Sequence, residues 1–232
     1  MHNFIHIPKN GGSSIVRNLQ GKVRQPDSLS LKTSYLMASG IRKGWGHSRW
    51  IYVDESWKSA HPCFTVIRNP WSRLVSQFRF GRKLMTEQKV TKNGSGWQLH
   101  WSFSEWVSFL DSNKNNPLFL STNSHSTTQN IQTQKSYVVN EAGIPVVDVL
   151  RFENFNEDTM AYLNLSEPLR PRNVTEKIHH DYKSYYNDDT IEWVKNHFKE
   201  DIEHFGFSFD SGATKNYFYE RRSLNNGEVQ PI

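Results

Sequence analysis

Two short stretches combine cationic, glycine and hydroxyl residues in an order suited to holding an anion. In "FIHIPKNGGSSI" (residues 4–15), apolar Phe4, Ile5 and Ile7 read as a short buried strand closed by Pro8, and Ser13 onward reads as the opening of a helix. Between them stand Lys9, Asn10, Gly11 and Gly12. Glycines let backbone N–H groups approach a phosphate closely, the first helical turn adds unpaired donors, and Lys9 adds a full charge. The same pattern also serves a plain connection in which Gly11 and Gly12 supply unusual backbone angles and Ser13 is an N-cap. The lysine precedes the glycines, so the segment does not follow the nucleoside-triphosphate order G-x-x-x-x-G-K-[ST].

The second stretch, "CFTVI" followed by "RNPWSRLVSQF" (residues 63–78), repeats the logic. Arg68 leaves the end of an apolar strand, Pro70 suits the first turn of a helix, and Leu74, Val75 and Phe78 form its apolar face. Ser76 lies four residues beyond Ser72 and on the same helix face. Arg68 can fork onto a phosphate while Ser76 donates a hydroxyl; taken singly, the two also fit an ion-pair partner and a surface helix residue.

A third apolar run, "IPVVDVLRFEN" (144–154), reads as another strand. Three apolar strands separated by helical stretches predict an α/β fold: a single domain with a central parallel sheet flanked by helices, its ligands gathered at the carboxyl ends of the strands. "SFSEWVSFL" predicts an amphipathic helix, and Ile191, Val194, Phe198, Ile202 and Phe205 predict another that stops at Gly206. Residues 87–102 and "NNPLFLSTNSHSTTQN" read as irregular, substrate-facing loops, and Arg151 with Glu153 as an ion pair at a strand end. The domain is expected over residues 1–210, with a polar tail over 211–232.

The chain has 232 residues, 36% of them hydrophobic, and its eight Trp, nine Tyr and fourteen Phe supply the area for a core. Its single cysteine, Cys63, sits within an apolar run and reads as a core residue, so no intrachain disulfide forms. Lys and Arg outnumber Asp and Glu by 28 to 23, a surplus that suits an anionic ligand. No basic block or zinc-ligand pattern points to nucleic acid. With neither a signal peptide nor an apolar run long enough to span a bilayer, a cytoplasmic protein without a membrane span is the expectation.

Together the two anion motifs resemble the sulfotransferases that use 3′-phosphoadenosine-5′-phosphosulfate (PAPS), in particular the carbohydrate type that includes heparan sulfate 2-O-sulfotransferase. "GHSRW", "VLRFENF" and "YYNDDTIEWVKNHFKEDIEHFGF" extend the resemblance over most of residues 3–209. The resemblance implies a P-loop-like strand-loop-helix in which Lys9 faces the phosphosulfate and Asn10, Gly11, Gly12, Ser13 and Ser14 surround the 5′-phosphate. It implies that Arg68 and Ser76, eight residues apart, grip the 3′-phosphate. "RPRNVTEK" (170–177) is similar to the family's later nucleotide loop, which brings Asn173 and Thr175 toward the 3′-phosphate or adenine, although an ordinary polar loop has the same composition.

The resemblance also implies that His47, in "GWGHSRW", is the base that takes the acceptor's proton, and an ordinary imidazole pKa of about 6.5 suits that task. Of the other histidines, His6 is expected packed near the glycine turn, His61 before a strand, and His125, His179 and His180 in loops. The resemblance further implies an acceptor hydroxyl, expected on a glycan or another small molecule, and a scheme that requires no metal. Two rivals are a nucleotide-dependent small-molecule kinase and a non-catalytic glycan-binding relative. Trp45, Trp50, Trp97 and Trp101 suit stacking on a sugar ring or adenine, or core packing. The chain departs from the family pattern at Asn10, where threonine is usual, and at Asn69, where aspartate is common.

Overall fold

The computed structural model describes residues 1–27, 45–87, 99–115, 131–172 and 181–218. Four strands form one parallel sheet: β1 (His2–Phe4), β2 (Val23–Arg24), β3 (Cys63–Ile67) and β4 (Asp148–Arg151), in the order β2-β1-β3-β4. The register runs Phe4 to Phe64 between β1 and β3, and Phe64 to Asp148 through Ile67 to Arg151 between β3 and β4. All five β3 residues are buried, as a strand covered on both faces requires.

Alternation along the strands divides the interior in two. Phe4, Phe64, Val66 and Leu150 join Ile15, Tyr162 and Phe218 on one side of the sheet. Cys63, Ile67 and Val149, with Ile5 and Ile7, face the larger core of Trp71, Phe78, Trp106 and Phe205 on the other.

Eight α-helices fall within the described residues: α1 (Gly12–Asn18), α2 (Glu55–Ala60), α3 (Pro70–Thr86), α4 (Phe103–Ser112), α5 (Lys135–Val138), α6 (Phe155–Leu163), α7 (Asp188–His197) and α8 (Lys199–Phe205). The long α3 starts at Pro70, with Asn69 as N-cap accepting from Trp71 N and Ser72 N. A reciprocal capping box between Ser102 and Glu105 starts α4.

The secondary structure departs from the sequence reading in four places. The β1 ladder begins at His2, and Ile5 and Ile7 continue beyond it as extended chain, Ile5 N donating to Phe64 O at 3.0 Å. The two-residue β2 is too short to carry any periodicity. The expected single terminal helix divides at Phe198, which is buried and serves as C-cap of α7 and N-cap of α8. Gly11 rather than Ser13 is the N-cap of α1, without a side-chain cap. Gly206 ends α8 in the left-handed conformation, φ 67°, the stop its position predicts. Beyond residue 210, Ala213 and Phe218 are buried, Phe218 edge-on to Tyr162 at 4.8 Å.

Candidate active site

Because the strands are parallel, their carboxyl ends share one edge, and the chain leaves β1 toward Lys9, β3 at Arg68 and β4 at Phe152 and Glu153. This edge is where a sheet of this kind places ligands. Lys9 and Gly11 both take left-handed backbone angles, φ 71° and 82°. A left-handed lysine is uncommon and costs of order 1–3 kcal/mol, which the surroundings must hold in place.

The glycines have specific neighbours. A Cβ on Gly11 would lie 2.9 Å from the Phe155 ring and 3.2 Å from the Phe152 ring, and one on Gly12 would lie 2.1 Å from the imidazole of His6. The turn is thus pressed between aromatic rings that only glycine tolerates.

Positive charge gathers here. Burial, followed by the nearby Arg68 and Lys83 charges, lowers the Lys9 pKa to about 7, while its Nζ sits 3.8 Å from the centre of the Phe80 ring. Burial lowers the Arg68 pKa to about 10, opposed by Glu153 and reinforced by Arg73 and Arg79. Arg68 lies 4.1 Å from the Phe152 ring centre, donates Nε to Ser72 Oγ at 2.9 Å and reaches Lys9 O from Nη1 at 3.1 Å. Ser76 stands one helical turn beyond Ser72 on α3, on the face whose Ser72 hydroxyl accepts from Arg68.

Glu153, whose carboxyl is pushed up by burial, accepts from Asn69 N at 2.7 Å. It does not pair with Arg151 as the sequence suggested: Arg151 forks onto buried Asp158, Nε to Oδ2 at 3.0 Å and Nη2 to Oδ1 at 2.8 Å. That pairing satisfies a carboxylate on α6 that would otherwise be isolated beneath the chain.

Asn10 brings its backbone to the turn and directs its amide inward, Nδ2 donating to Val66 O and to Gln134 Oε1, each at 2.7 Å. Ser14 is buried and its Oγ accepts from Arg172 N at 3.0 Å, while Asn18 Nδ2 donates to Arg170 O at 2.9 Å. Residues 170–172 therefore dock on α1 at the start of the expected nucleotide loop; Asn173 and Thr175 lie outside the described residues, as do His125, His179, His180 and Trp97. Trp50 and Trp101 pack against the larger core, Trp50 beneath Lys58.

His47 lies in a short helical turn, Trp45–His47, and its Nδ1 is 2.8 Å from His6 O. A carbonyl only accepts, so Nδ1 carries the proton and Nε2 is the basic nitrogen of the neutral ring. The His6 ring is 4.2 Å from that of His47, accepts from Gln25 Nε2 at 2.7 Å and is held well below its ordinary pKa by burial, then by His47 and Lys9. A neutral imidazole thus lies beside the glycine turn, Lys9 and His47 alike.

Sequence reasoning overlooked Gln134 and Asp201. Both are fully buried, and Asp201 accepts from Gln134 N and Lys135 N, each at 2.8 Å, at the start of α5. Gln134 stands in no motif, and Asp201 is hidden among the charged neighbours Lys199, Glu200 and Glu203; only its place beside Ile202 and four residues before Phe205 hinted at an inward carboxylate.

Among the described residues no group of three His, Cys, Asp or Glu could hold a metal ion, and no helix is long and apolar enough to cross a membrane. A family model described as "Sulfotransferase family" matches residues 3–208. No curated protein and no solved structure matches the chain.

Proposed function

Because the chain belongs to the sulfotransferase family, we propose that it moves a sulfuryl group from PAPS to an acceptor hydroxyl on a carbohydrate. The observation that carries the donor assignment is the cationic cluster at the carboxyl edge of the sheet. Lys9 feels Arg68 and Lys83, and Arg68 feels Arg73 and Arg79, with Glu153 the carboxylate that opposes them at Arg68 among the described residues. Such mutual repulsion is relieved by a polyanion, and a nucleotide bearing both a 5′-phosphosulfate and a 3′-phosphate supplies two anionic groups for the two turns.

In this reading the acceptor oxygen attacks sulfur in line, and the bond from sulfur to the bridging oxygen breaks. Charge then develops on that oxygen, where Lys9 stabilises it. Backbone groups of Asn10, Gly11, Gly12 and Ser13, with Ser14, hold the 5′-phosphate; Arg68 and Ser76 hold the 3′-phosphate, with Asn173 and Thr175 beside it or the adenine. The acceptor's proton passes to Nε2 of His47, a contribution of roughly 100- to 10,000-fold for a well-placed base. The reading takes residues 1–210 as the sulfotransferase domain. The carbohydrate acceptor follows from the resemblance of the anion motifs and "GHSRW" to the heparan-type enzymes.

Thermal unfolding with 3′-phosphoadenosine-5′-phosphate, beside ADP and ATP with magnesium, tests the donor. The 3′-phosphorylated nucleotide is expected to stabilise selectively, by about 2.7 kcal/mol at roughly 100 times its dissociation constant. Stabilisation by ATP with magnesium alone overturns the assignment. Transfer of labelled sulfate to phenols but to no glycan would overturn the carbohydrate half.

A further inference from the structure

The ladder between β1 and β3 ends at Phe4 and Phe64, and beyond it the two segments assigned to the ends of the nucleotide are joined through side chains, as by Asn10 Nδ2 to Val66 O and Arg73 Nε to Pro8 O. A buried amide bonds to both turns. Gln134 Oε1 accepts from Asn10 Nδ2 at 2.7 Å and from Arg68 N at 2.9 Å, while Gln134 Nε2 donates to Arg68 O at 2.7 Å. Arg68 Nη1 returns to Lys9 O at 3.1 Å, closing a ring of hydrogen bonds through Lys9, Asn10, Gln134 and Arg68. The glutamine is itself anchored: its own N–H and that of Lys135 are held by the two oxygens of Asp201, and both Gln134 and Asp201 are 0% exposed.

We propose that Gln134 is a positioning residue that sets the separation of the Lys9–Ser14 turn from the Arg68–Ser76 segment, so that a nucleotide with two phosphate groups engages both at once. The inference rests on the donor assignment above and adds the device that makes the two half-sites act as one. Only an amide meets the demand. Its oxygen uses both lone pairs and its nitrogen supplies the donor that the Arg68 carbonyl takes. A carboxylate would lack that donor and bury a charge, and an aliphatic side chain would take a partner from the N–H and C=O of Arg68 and from the Asn10 amide proton that Val66 O does not take.

By gripping the N–H and C=O of one residue, Gln134 fixes the backbone from which the Arg68 guanidinium projects. Engagement of a second phosphate after the first is effectively intramolecular, and its advantage disappears when the two sites no longer match the span of the ligand. Gln134 touches neither phosphate in this scheme; it governs how well one molecule reaches both.

The test compares two nucleotides on the full chain by calorimetry: 3′-phosphoadenosine-5′-phosphate, which spans both turns, and adenosine 5′-monophosphate, which occupies one. In Gln134→Met, of similar size but without the amide, the preference for the doubly phosphorylated nucleotide is expected to fall by about tenfold or more, while monophosphate affinity changes by less than about threefold. Equal weakening of both nucleotides would mark general damage and overturn the proposal, as would an unchanged preference. Hydrogen exchange on the unsubstituted protein decides the matter if the variant does not fold. The amides of Arg68 and Gln134 should be as protected as those of β3, with Arg68 further protected by the doubly phosphorylated nucleotide and not by the monophosphate; rapid exchange at Arg68 sinks the idea. Equal affinity of the wild-type protein for the two nucleotides removes the donor assignment, and this inference with it, whereas a wild-type preference that survives in Gln134→Met removes this inference alone.

Discussion

Lys9 carries two unusual properties at one position, a left-handed backbone with φ 71° and a pKa lowered to about 7. The lowered pKa follows first from burial and then from the Arg68 and Lys83 charges, and it bears on pH. A bound anion favours the ammonium form, so above pH about 7 binding takes up a proton. Affinity for 3′-phosphoadenosine-5′-phosphate should therefore fall by up to about tenfold per pH unit above that point, and Lys9→Arg, whose charge persists, should flatten the fall. Calorimetry between pH 6 and 9 in buffers of different ionisation enthalpy measures the proton directly; a flat wild-type profile would contradict the assignment.

In the ligand-free protein the sign is opposite. Burying charged Lys9 costs stability below pH about 7, and the cost fades as pH rises toward the ordinary lysine value of 10.5. At this scale the lysine and the two glycines were legible from their order alone. His6 was expected near the glycine turn and lies there, while the closeness that bars a side chain from Gly12 shows only in the folded geometry.

At the scale of elements, β3 and α3 were the most legible pair: a fully buried "CFTVI", an N-capping Asn69 and Pro70 in the first turn all carry local signals. Asn69 does more than cap. Its Nδ2 donates to Ser208 O and Ser211 O, each at 2.8 Å, tying the chain beyond α8 to the start of α3. An aspartate, common here among the resembling enzymes, has no proton to give these carbonyls, which explains the asparagine in this chain. Asn69→Ala is expected to cost about 2–4 kcal/mol, the sum of a lost cap and two lost hydrogen bonds. Urea unfolding measures it, and a loss below about 0.5 kcal/mol, the scale of an ordinary surface substitution, would refute the role. The break between α7 and α8 was hidden because Val194, Phe198 and Phe205 keep helical spacing across it, and all three remain buried.

Across the whole molecule, the parallel order β2-β1-β3-β4 brings segments some sixty and eighty residues apart to one edge, as Thr65 with Ile5 and Asn69 with Glu153 illustrate. The apolar runs foretold the sheet, and the sheet's edge foretold where Lys9 and Arg68 meet. The ties between them could not be read in advance. Gln134 has neither charge nor periodicity, and its three bonds exist only after Asn10 and Arg68 have been brought together. Arg151 was matched to the nearer carboxylate in sequence, while the folded chain offers it Asp158 one helix start away, with both oxygens available.

The lone thiol, Cys63, gives the molecule a built-in clock. It lies in β3 at 9% exposure, and burial pushes its pKa up, so a thiol reagent in solution finds almost no thiolate to attack while the sheet is closed. Under native conditions the colour change of such a reagent should then advance only as fast as β3 opens, and it should slow in proportion to nucleotide occupancy. Prompt labelling, unaffected by nucleotide, would show that β3 opens independently of the edge it supports. A single stopwatch reading on an unlabelled, unsubstituted chain would therefore report how firmly the ligand-bearing edge is fastened to the strand at its centre.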